Sequence, residues 1–408
     1  MNKFNVAVIS DCSVFGKSQS HKGIPKLLLR ELARSSTLHA IGWNGHPAIL
    51  DPLNERNMPT LSIDDTTEWP TGRRRPRMAE IARIAGVDIS TVSRALAGSP
   101  RVTKETRALI DQIVRDTGYV VNEKARALRD GRANQVLVIV SDIATPFYPE
   151  VVQGIVEALA QRGINVLLGA TLRQAKREAK LGKQLLTGVV DGIITITGSV
   201  PKPILNMQGF NRKVVAISRP VPHEGVTCVT IDNYAAAKEV MVHLYAMGHR
   251  RIVHIGGPNL SETYRDRRAA YVDFMRDNCL AELTKVRSTD TFNEDAESGF
   301  KIMKSMLDEG PRPTAVFCAT DELAISAMAA ARQANQNIPG DVSFFGFDDL
   351  KLAGLMSPPL STVSVPRFEM GRRGAEVLFG QIYKGTTAST KIVLEHRLVL
   401  RDSVAQIR

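Results

Sequence analysis

The sequence predicts two folds in one chain: a small all-α headpiece, then a larger α/β core of doubly wound parallel sheets arranged in two lobes. Three observations carry this. Between Met78 and Gly118, apolar residues recur at helical spacing in three short runs, punctuated by Gly86, Gly98 and Gly118. Charge is concentrated in the same region: 14 Lys/Arg stand against 7 Asp/Glu from Arg73 to Arg132, within a chain of 408 residues and net charge +11. From Gln135 the period changes, and short apolar runs alternate with amphipathic ones, the pattern of βαβ units and a parallel sheet.

The headpiece is legible helix by helix. The first is predicted over 78–85, with Ile81, Ile84 and Ala85 on one apolar face. Gly86 supplies the turn, since glycine takes a positive φ at little cost. Asp88 is a natural N-cap for a second helix over 89–97, whose buried side is Val92 and Leu96. Gly98 stands where a C′ residue belongs, and Pro100 blocks continuation. Thr103 caps a third helix with Glu105 in its positive first turn, Leu109, Ile110, Ile113 and Val114 on its face, and Gly118 as its stop. Helix, short glycine-containing turn, helix is the helix-turn-helix, whose second helix enters the major groove of DNA. The helices alone fit equally a small bundle that binds nothing. The basic excess decides for DNA, because neutralising phosphates calls for such a charge.

Beyond residue 135 the core follows in order. QVLVIVSD, INVLLGA and VDGIITITG are strands, separated by the helices PEVVQGIVEALAQRG and LRQAKREAKLGKQLLTG. Around Asp232 a second set begins with helix AAAKEVMVHLYAMG, strand RIVHIGG and helix YRDRRAAYVDFMRD. Helix ESGFKIMKSML, strand TAVFCA, helix DELAISAMAAARQA and strand VSFFGFDD complete it. Two sets of comparable size make two lobes with a cleft between them, and ligands of open α/β sheets sit at the carboxyl ends of the strands.

AEIARIAGVDISTVSRALAGSPRVTKETRALI resembles the headpiece of the lactose/galactose repressor family of bacterial transcription regulators. The resemblance runs from Arg77 to Arg408 and rests on VSRAL, GPNL with RRAAY, GHRRI and FGFDD in combination; several segments are similar to the cytidine-repressor branch. It implies a periplasmic-binding-protein-like core in which the chain crosses back near 361–365. On the DNA side it puts Ile89, Ser90 and Arg94 where recognition-helix side chains reach base edges, and their spacing gives them one helical face. Arginine reads guanine bidentately, whereas Ile89 offers only apolar contact to a thymine methyl; core packing is its alternative. Thr91 and Ser93 are read as phosphate anchors, which position without specifying. The segment VNEKARALRDGRANQ is too short to hold a helix alone. In the family it is a hinge helix formed on operator DNA, and Leu128 takes the place of the leucine that wedges into the minor groove. Val121 stands where the family usually has proline.

For the cleft, the resemblance assigns ligand contacts to Phe147, Tyr148, Arg267 and Asp348, with Thr320 and Asp321 flanking the same mouth. A planar guanidinium suits hydrogen bonding to a sugar, base or carboxylate, and Asp348 suits ligand hydroxyls. The alternatives are packing under the loop for the aromatics, a surface ion pair for Arg267, and helix capping for Thr320 and Asp321. Glu294 occupies the position where the purine and cytidine branches carry a stacking ring. A lost ring forfeits stacking worth about 1–3 kcal/mol per base. A polyol, sugar or sugar derivative is then as good a candidate as a nucleoside.

Other chemistry finds little support. Gly256, Gly257 and Pro258 follow a strand without either glycine-rich nucleotide pattern. No HExxH, GxSxG or CxxC occurs, the 8 His lack ligand spacing, and the 4 Cys lie far apart, which fits a reducing compartment and buried thiols. No cofactor, metal or catalytic residue is expected. No apolar run approaches the roughly 20 residues of a membrane span, and no signal-peptide pattern opens the chain, so a cytoplasmic, nucleoid-associated protein is expected.

The expected organisation is an N-terminal extension over 1–75, poorly ordered or upstream of a true start such as Met58. The helix-turn-helix domain spans 76–120 and the hinge helix and linker 121–134. The core covers 135–408, its first lobe about 135–232 and 364–392 and its second about 233–363 and 393–408. Without Leu heptads after the last strand, a homodimer is expected, reading a palindromic operator under control of a small-molecule effector. A cytoplasmic sugar-binding or sugar-modifying protein with an incidental basic headpiece is the rival; an architectural DNA-binding protein without an effector is a second.

Overall fold

The computed structural model describes residues 7–8, 76–120, 131–258, 261–289, 295–387 and 390–407, in two compact units that divide at residue 122. Residues 121–130 of the expected hinge and linker, Leu128 among them, lie outside the described residues, as do Glu294 and, apart from Ala7 and Val8, the N-terminal extension.

The headpiece contains α1 (Met78–Ala85), α2 (Ile89–Leu96) and α3 (Lys104–Thr117). The caps act as local chemistry requires. Asp88 accepts from the Ser90 amide at 2.7 Å, Thr103 accepts from the Thr106 amide at 3.3 Å, and Gly86 and Gly118 close α1 and α3 in the left-handed region. Ile81, Val92 and Ile110 are fully buried, with Ala82, Ala95, Val102, Ile113 and Tyr119 around them. The expected faces were too wide. Ile84 and Leu109 are 47% and 49% exposed, and α2 buries Ala95 where Leu96 was expected, leaving Leu96 half-buried. Short helices packed closely cover only one narrow stripe, and alanine lets the backbones approach.

In the other unit, β1 (Ala7–Val8), β2 (Gln135–Val140), β3 (Asn165–Ala170), β4 (Gly192–Thr195), β5 (Val214–Ile217) and β6 (Thr227–Ile231) belong to the first sheet. α4 (Tyr148–Ala160) and α5 (Ala175–Leu186) connect its strands. The second lobe begins with α6 (Asn233–Ala246) and holds β7 (Ile252–Gly256), α7 (Glu262–Asp277), β8 (Lys285–Ser288) and α8 (Asp295–Asp308). It continues through β9 (Ala315–Cys318), α9 (Asp321–Gln333) and β10 (Ser343–Phe345). β11 (Thr362–Ser364) leads back to the first lobe, where α10 (Arg367–Tyr383) and β12 (Lys391–Leu394) lie, and β13 (Arg397–Val399) returns to pair antiparallel with β11. The first sheet has the order β1-β3-β2-β4-β5-β6-β12 and the second β10-β9-β7-β8, every pair parallel. Val393 and Leu394 still pair with Thr230 and Ile231 in the first sheet, so the last crossing falls after 394 and not at 393.

Strands buried on both faces read as continuous apolar runs, as QVLVIV does. The lobes are joined by one apolar cluster reaching from Val138 and Ile194 to Phe317 and Phe347. Helices α4 and α10 press backbone to backbone where Gly154 meets Phe368 and Gly371 meets Val151. Among the described residues no helix is long and apolar enough to cross a membrane, and no His/Cys/Asp/Glu group is placed to hold a metal ion.

Candidate functional site

The carboxyl ends of the strands open on a cavity of about 200 Å³ between the lobes. The first lobe contributes the turn from Asp142 to Tyr148, Arg173 after β3, and Ser218 and Arg219 after β5. The second contributes Thr263, Tyr264 and Arg267 from α7, Thr320 and Glu322 around the start of α9, and Asp348 beyond β10.

The Asp142 turn builds itself. Its carboxylate accepts from the Ala144 amide at 3.0 Å, and the Tyr148 amide donates to the Thr145 carbonyl at 3.1 Å. Phe147 and Tyr148 meet edge to face, and the Tyr148 hydroxyl lies 2.6 Å from the Ser141 hydroxyl. Packing and cavity lining therefore coexist for this pair: Tyr148 is buried with its polar end engaged, while half-buried Phe147 also lines the space.

Arg267 is only 4% exposed. Its Nε and Nη2 donate to Oδ1 of Asn233 at 3.1 and 2.9 Å, Nη1 donates to the Ala319 carbonyl, and the guanidinium stacks on the Phe347 ring. Its Nη2 lies 3.8 Å from a carboxylate oxygen of Asp348. A surface ion pair is thus excluded for Arg267. Burial pulls its pKa below the ordinary arginine value, and the Asp348 charge opposes that. Burial also pushes Asp348 up to about 6, against the pull of Arg267, Arg367 and Arg219.

Asp321 departs from expectation. It is fully buried and absent from the cavity wall, with one carboxylate oxygen accepting from Thr362 Oγ1 at 2.6 Å and the other from the Leu350 amide at 2.7 Å. Its acid is pushed up to about 8, first by burial and then by the neighbouring Asp348 charge. The helix-start aspartate turns inward because hydrogen-bond partners wait beneath the cleft, not at its mouth. Thr320 both lines the cavity and caps α9, accepting from the Leu323 amide at 3.2 Å.

Sequence reasoning did not single out Arg173, Arg219, Thr263, Tyr264 or Glu322. Thr263 and Tyr264 lie four and three residues before Arg267 on one helix, so helical spacing alone would have found them. Arg219 lies over the Tyr264 ring at 5.8 Å. Left-handed backbone clusters here at Leu172, Arg173, Ser218, Asp348 and Asp349, with φ of 47°, 57°, 68°, 110° and 53°. Such non-glycine strain concentrates at functional sites.

On the headpiece, Ile89 is 48% exposed, so core packing is excluded for it. Ser90 and Arg94 are exposed beside it, and Thr91 and Ser93 are half-buried. One face of α2 therefore presents an apolar, a hydroxyl and a guanidinium group together.

A capped helix-turn-helix with an exposed second helix, joined to a two-lobed core around a polar cleft, defines a DNA-binding regulator. Residues 77–122 match the model of bacterial regulatory proteins, lacI family, and residues 241–404 that of the periplasmic binding protein-like domain. The chain is 31% identical over 330 residues to the HTH-type transcriptional repressor CytR of Escherichia coli strain K12, covering 80% of this chain and 95% of that protein. It is 33% identical over 339 residues to the HTH-type transcriptional regulator CelR of Thermobifida fusca, covering 81% and 99%. A solved transcriptional regulator CelR–cellobiose complex aligns at 30% identity and TM-score 0.60, covering 81% of this chain and all of that one. The lac repressor dimer bound to operator and the anti-inducer ONPF shares the fold at 23% identity and TM-score 0.73, covering 81% and 100%. The chain belongs to the lacI family of bacterial regulatory proteins, and it is a transcriptional regulator.

Proposed function

We propose that the cleft binds a polyhydroxylated small molecule, a sugar or short oligosaccharide, and that its occupancy sets the affinity of a homodimer for a palindromic operator. The observation that carries this is Asp348. Its carboxylate stands in the cavity wall next to a buried arginine whose other donors are engaged, so it is an oriented acceptor for ligand hydroxyls. Phe147 and Tyr148 supply apolar surface for a sugar ring opposite it, and Thr320 adds a hydroxyl. In the relatives, one structure is a complex with cellobiose and another holds bound ribose. Ile89, Ser90 and Arg94 read base edges, Thr91 and Ser93 contact phosphates, and the hinge containing Leu128 enters the minor groove. Ligand and DNA each prefer one arrangement of the lobes, which is all that allosteric control requires.

Calorimetric titration with cellobiose, ribose and a nucleoside tests the ligand side. Asp348→Asn weakens the binding sugar about 10- to 100-fold, the range for a hydrogen bond to a charged group. Wild-type affinity falls as pH drops through about 6, where Asp348 takes up its proton. A sugar bound equally well by Asp348→Asn refutes the assignment. On the DNA side, Arg94→Ala relaxes sequence preference in gel-shift titrations, while the steep salt dependence persists.

A further inference from the structure

Arg367 opens α10 directly after Pro366, where the chain returns from the second lobe to the first. It is buried and does not line the cavity, yet its guanidinium donates in two directions. Toward the first lobe, Nε and Nη2 donate to Oε2 of Glu150 at 3.1 and 2.6 Å, and Glu150 stands in the first turn of α4. Toward the second lobe, Nη1 donates to the Asp348 carbonyl and Nη2 to the Asp349 carbonyl at 3.0 Å.

Those two carbonyls belong to consecutive left-handed residues, Asp348 and Asp349. A backbone of that kind persists only where its surroundings over-determine it. The Asp348 amide is tied to the Val363 carbonyl at 2.9 Å, the Asp349 amide to Thr362 Oγ1 at 3.3 Å and the Leu350 amide to Asp321 at 2.7 Å, and Arg401 holds the Asp349 carboxylate at 2.7 Å. Arg367 is the side chain that holds the two carbonyls. Glu150 lies two residues beyond Tyr148, whose helix start forms the facing wall. Both walls therefore converge on one side chain. The planar five-donor fork of arginine can serve both at once, whereas the point charge of lysine cannot.

We propose that Arg367 is a positioning residue, which fixes the Asp348 wall of the cleft to the α4 wall so that the two sides respond as a unit. The inference rests on the reading of this cavity as the ligand cleft, but its test needs no ligand. Amide hydrogen exchange is followed by mass spectrometry on the full ligand-free chain for wild type, Arg367→Leu, Arg367→Lys and Glu150→Gln. Arg367→Leu accelerates exchange at Asp348 and Leu350, and at Tyr148 on the opposite wall, by about tenfold or more, as loss of charged hydrogen bonds implies. The central strands β2 and β3 keep wild-type rates. Arg367→Lys recovers part of the protection. Glu150→Gln, altered on the first-lobe wall alone, also speeds Asp348 and Leu350 on the other. Wild-type exchange at Asp348 and Leu350 in Glu150→Gln overturns the proposal, as does an acceleration shared equally by all strands. If Arg367→Leu does not fold, the other two variants decide. Failure to bind any sugar would dismiss the ligand assignment and leave this result intact.

Discussion

The closest approach in the first lobe makes a quantitative prediction. A Cβ added at Gly154 would lie 2.1 Å from the Phe368 carbonyl oxygen and 2.9 Å from the Arg372 nitrogen, and one at Gly371 would lie 2.0 Å from the Val151 carbonyl oxygen. Every one of these obstacles is backbone, so no rotamer change relieves the clash. Ordinary contact begins near 3.4 Å, and α4 and α10 must part by roughly 1.3 Å to admit one methyl group. Overpacking of this severity costs about 3 kcal/mol, the upper part of the usual range. Alanine returns about 1 kcal/mol as the better helix former, which leaves Gly154→Ala destabilised by about 2 kcal/mol. The two clashes share one remedy, since a single separation of the helices relieves both. The double variant Gly154→Ala with Gly371→Ala therefore loses only about 1 kcal/mol, one separation of about 3 offset by about 1 for each alanine, against about 4 for two independent lesions. Urea unfolding followed by far-UV circular dichroism measures both quantities. An unfolding midpoint for Gly154→Ala at or above wild type would refute the reasoning, because it would mean that these helices separate freely.

Other perturbations test separate parts of the molecule. Thr103→Ala removes the cap of α3 and lowers headpiece stability by about 1 kcal/mol, visible as an earlier headpiece transition in thermal melts. Asp321→Asn flattens the pH dependence of stability. The buried acid has its folded pKa raised to about 8 from 3.8, so the folded state binds the extra proton and wild-type stability falls as pH rises between those values, by up to about 1.4 kcal/mol per unit. Denaturation midpoints from pH 5 to 8 check the slope. Tyr383→Phe removes the hydroxyl that donates to Asp191 at 2.5 Å, while Asp191 accepts the Ala133 and Asn134 amides at 2.8 and 2.7 Å. Faster exchange of those two amides, which lie where the linker enters the core, is the expected outcome, and unchanged rates would show that Asp191 needs no support from Tyr383.

The two buried carboxylates under the cleft divide the work between them. Asp321 spends both oxygens on Thr362 and the Leu350 amide, and so ties the start of α9 to β11 and to the chain after Asp349. The Asp348 side chain makes no such hydrogen bond among the described residues; the carboxylate is paired with the more distant Arg267 at 3.8 Å. Burial raises the cost of ionising both carboxylates, the Asp348 charge adds to that cost for Asp321, and Arg267, Arg367 and Arg219 offset it for Asp348. Asp348 therefore ionises first and faces the cavity as the carboxylate, while Asp321 keeps its proton longer beneath it.

What the sequence made legible follows from the range of the forces involved. Caps are local: Asp88, Thr103, Gly86 and Gly118 each act within a few residues of their own position, and each was found from spacing alone. The alternation of strand and helix was equally plain, because apolar runs such as QVLVIV announce themselves. Which stripe of a short helix is covered is a tertiary matter, and Ile84 and Leu109 were misplaced for that reason. The cleft divides the same way. Arg173 and Arg219 follow strands through left-handed turns at Leu172 and Ser218, and neither of those residues carries the glycine that would have flagged the turn. Asp321 and Glu322 open one helix side by side, yet only Glu322 reaches the cavity. The inward turn of Asp321 is dictated by Thr362, 41 residues away, a partner that the helix-start pattern around Asp321 does not reveal. Arg367 lies further still from its acceptor Glu150, 217 residues along the chain, and its position at the start of a helix reads as ordinary surface charge until the two lobes are assembled. Side chains that join distant segments are thus where sequence reasoning ends and where variants such as Arg367→Lys and Glu150→Gln become informative.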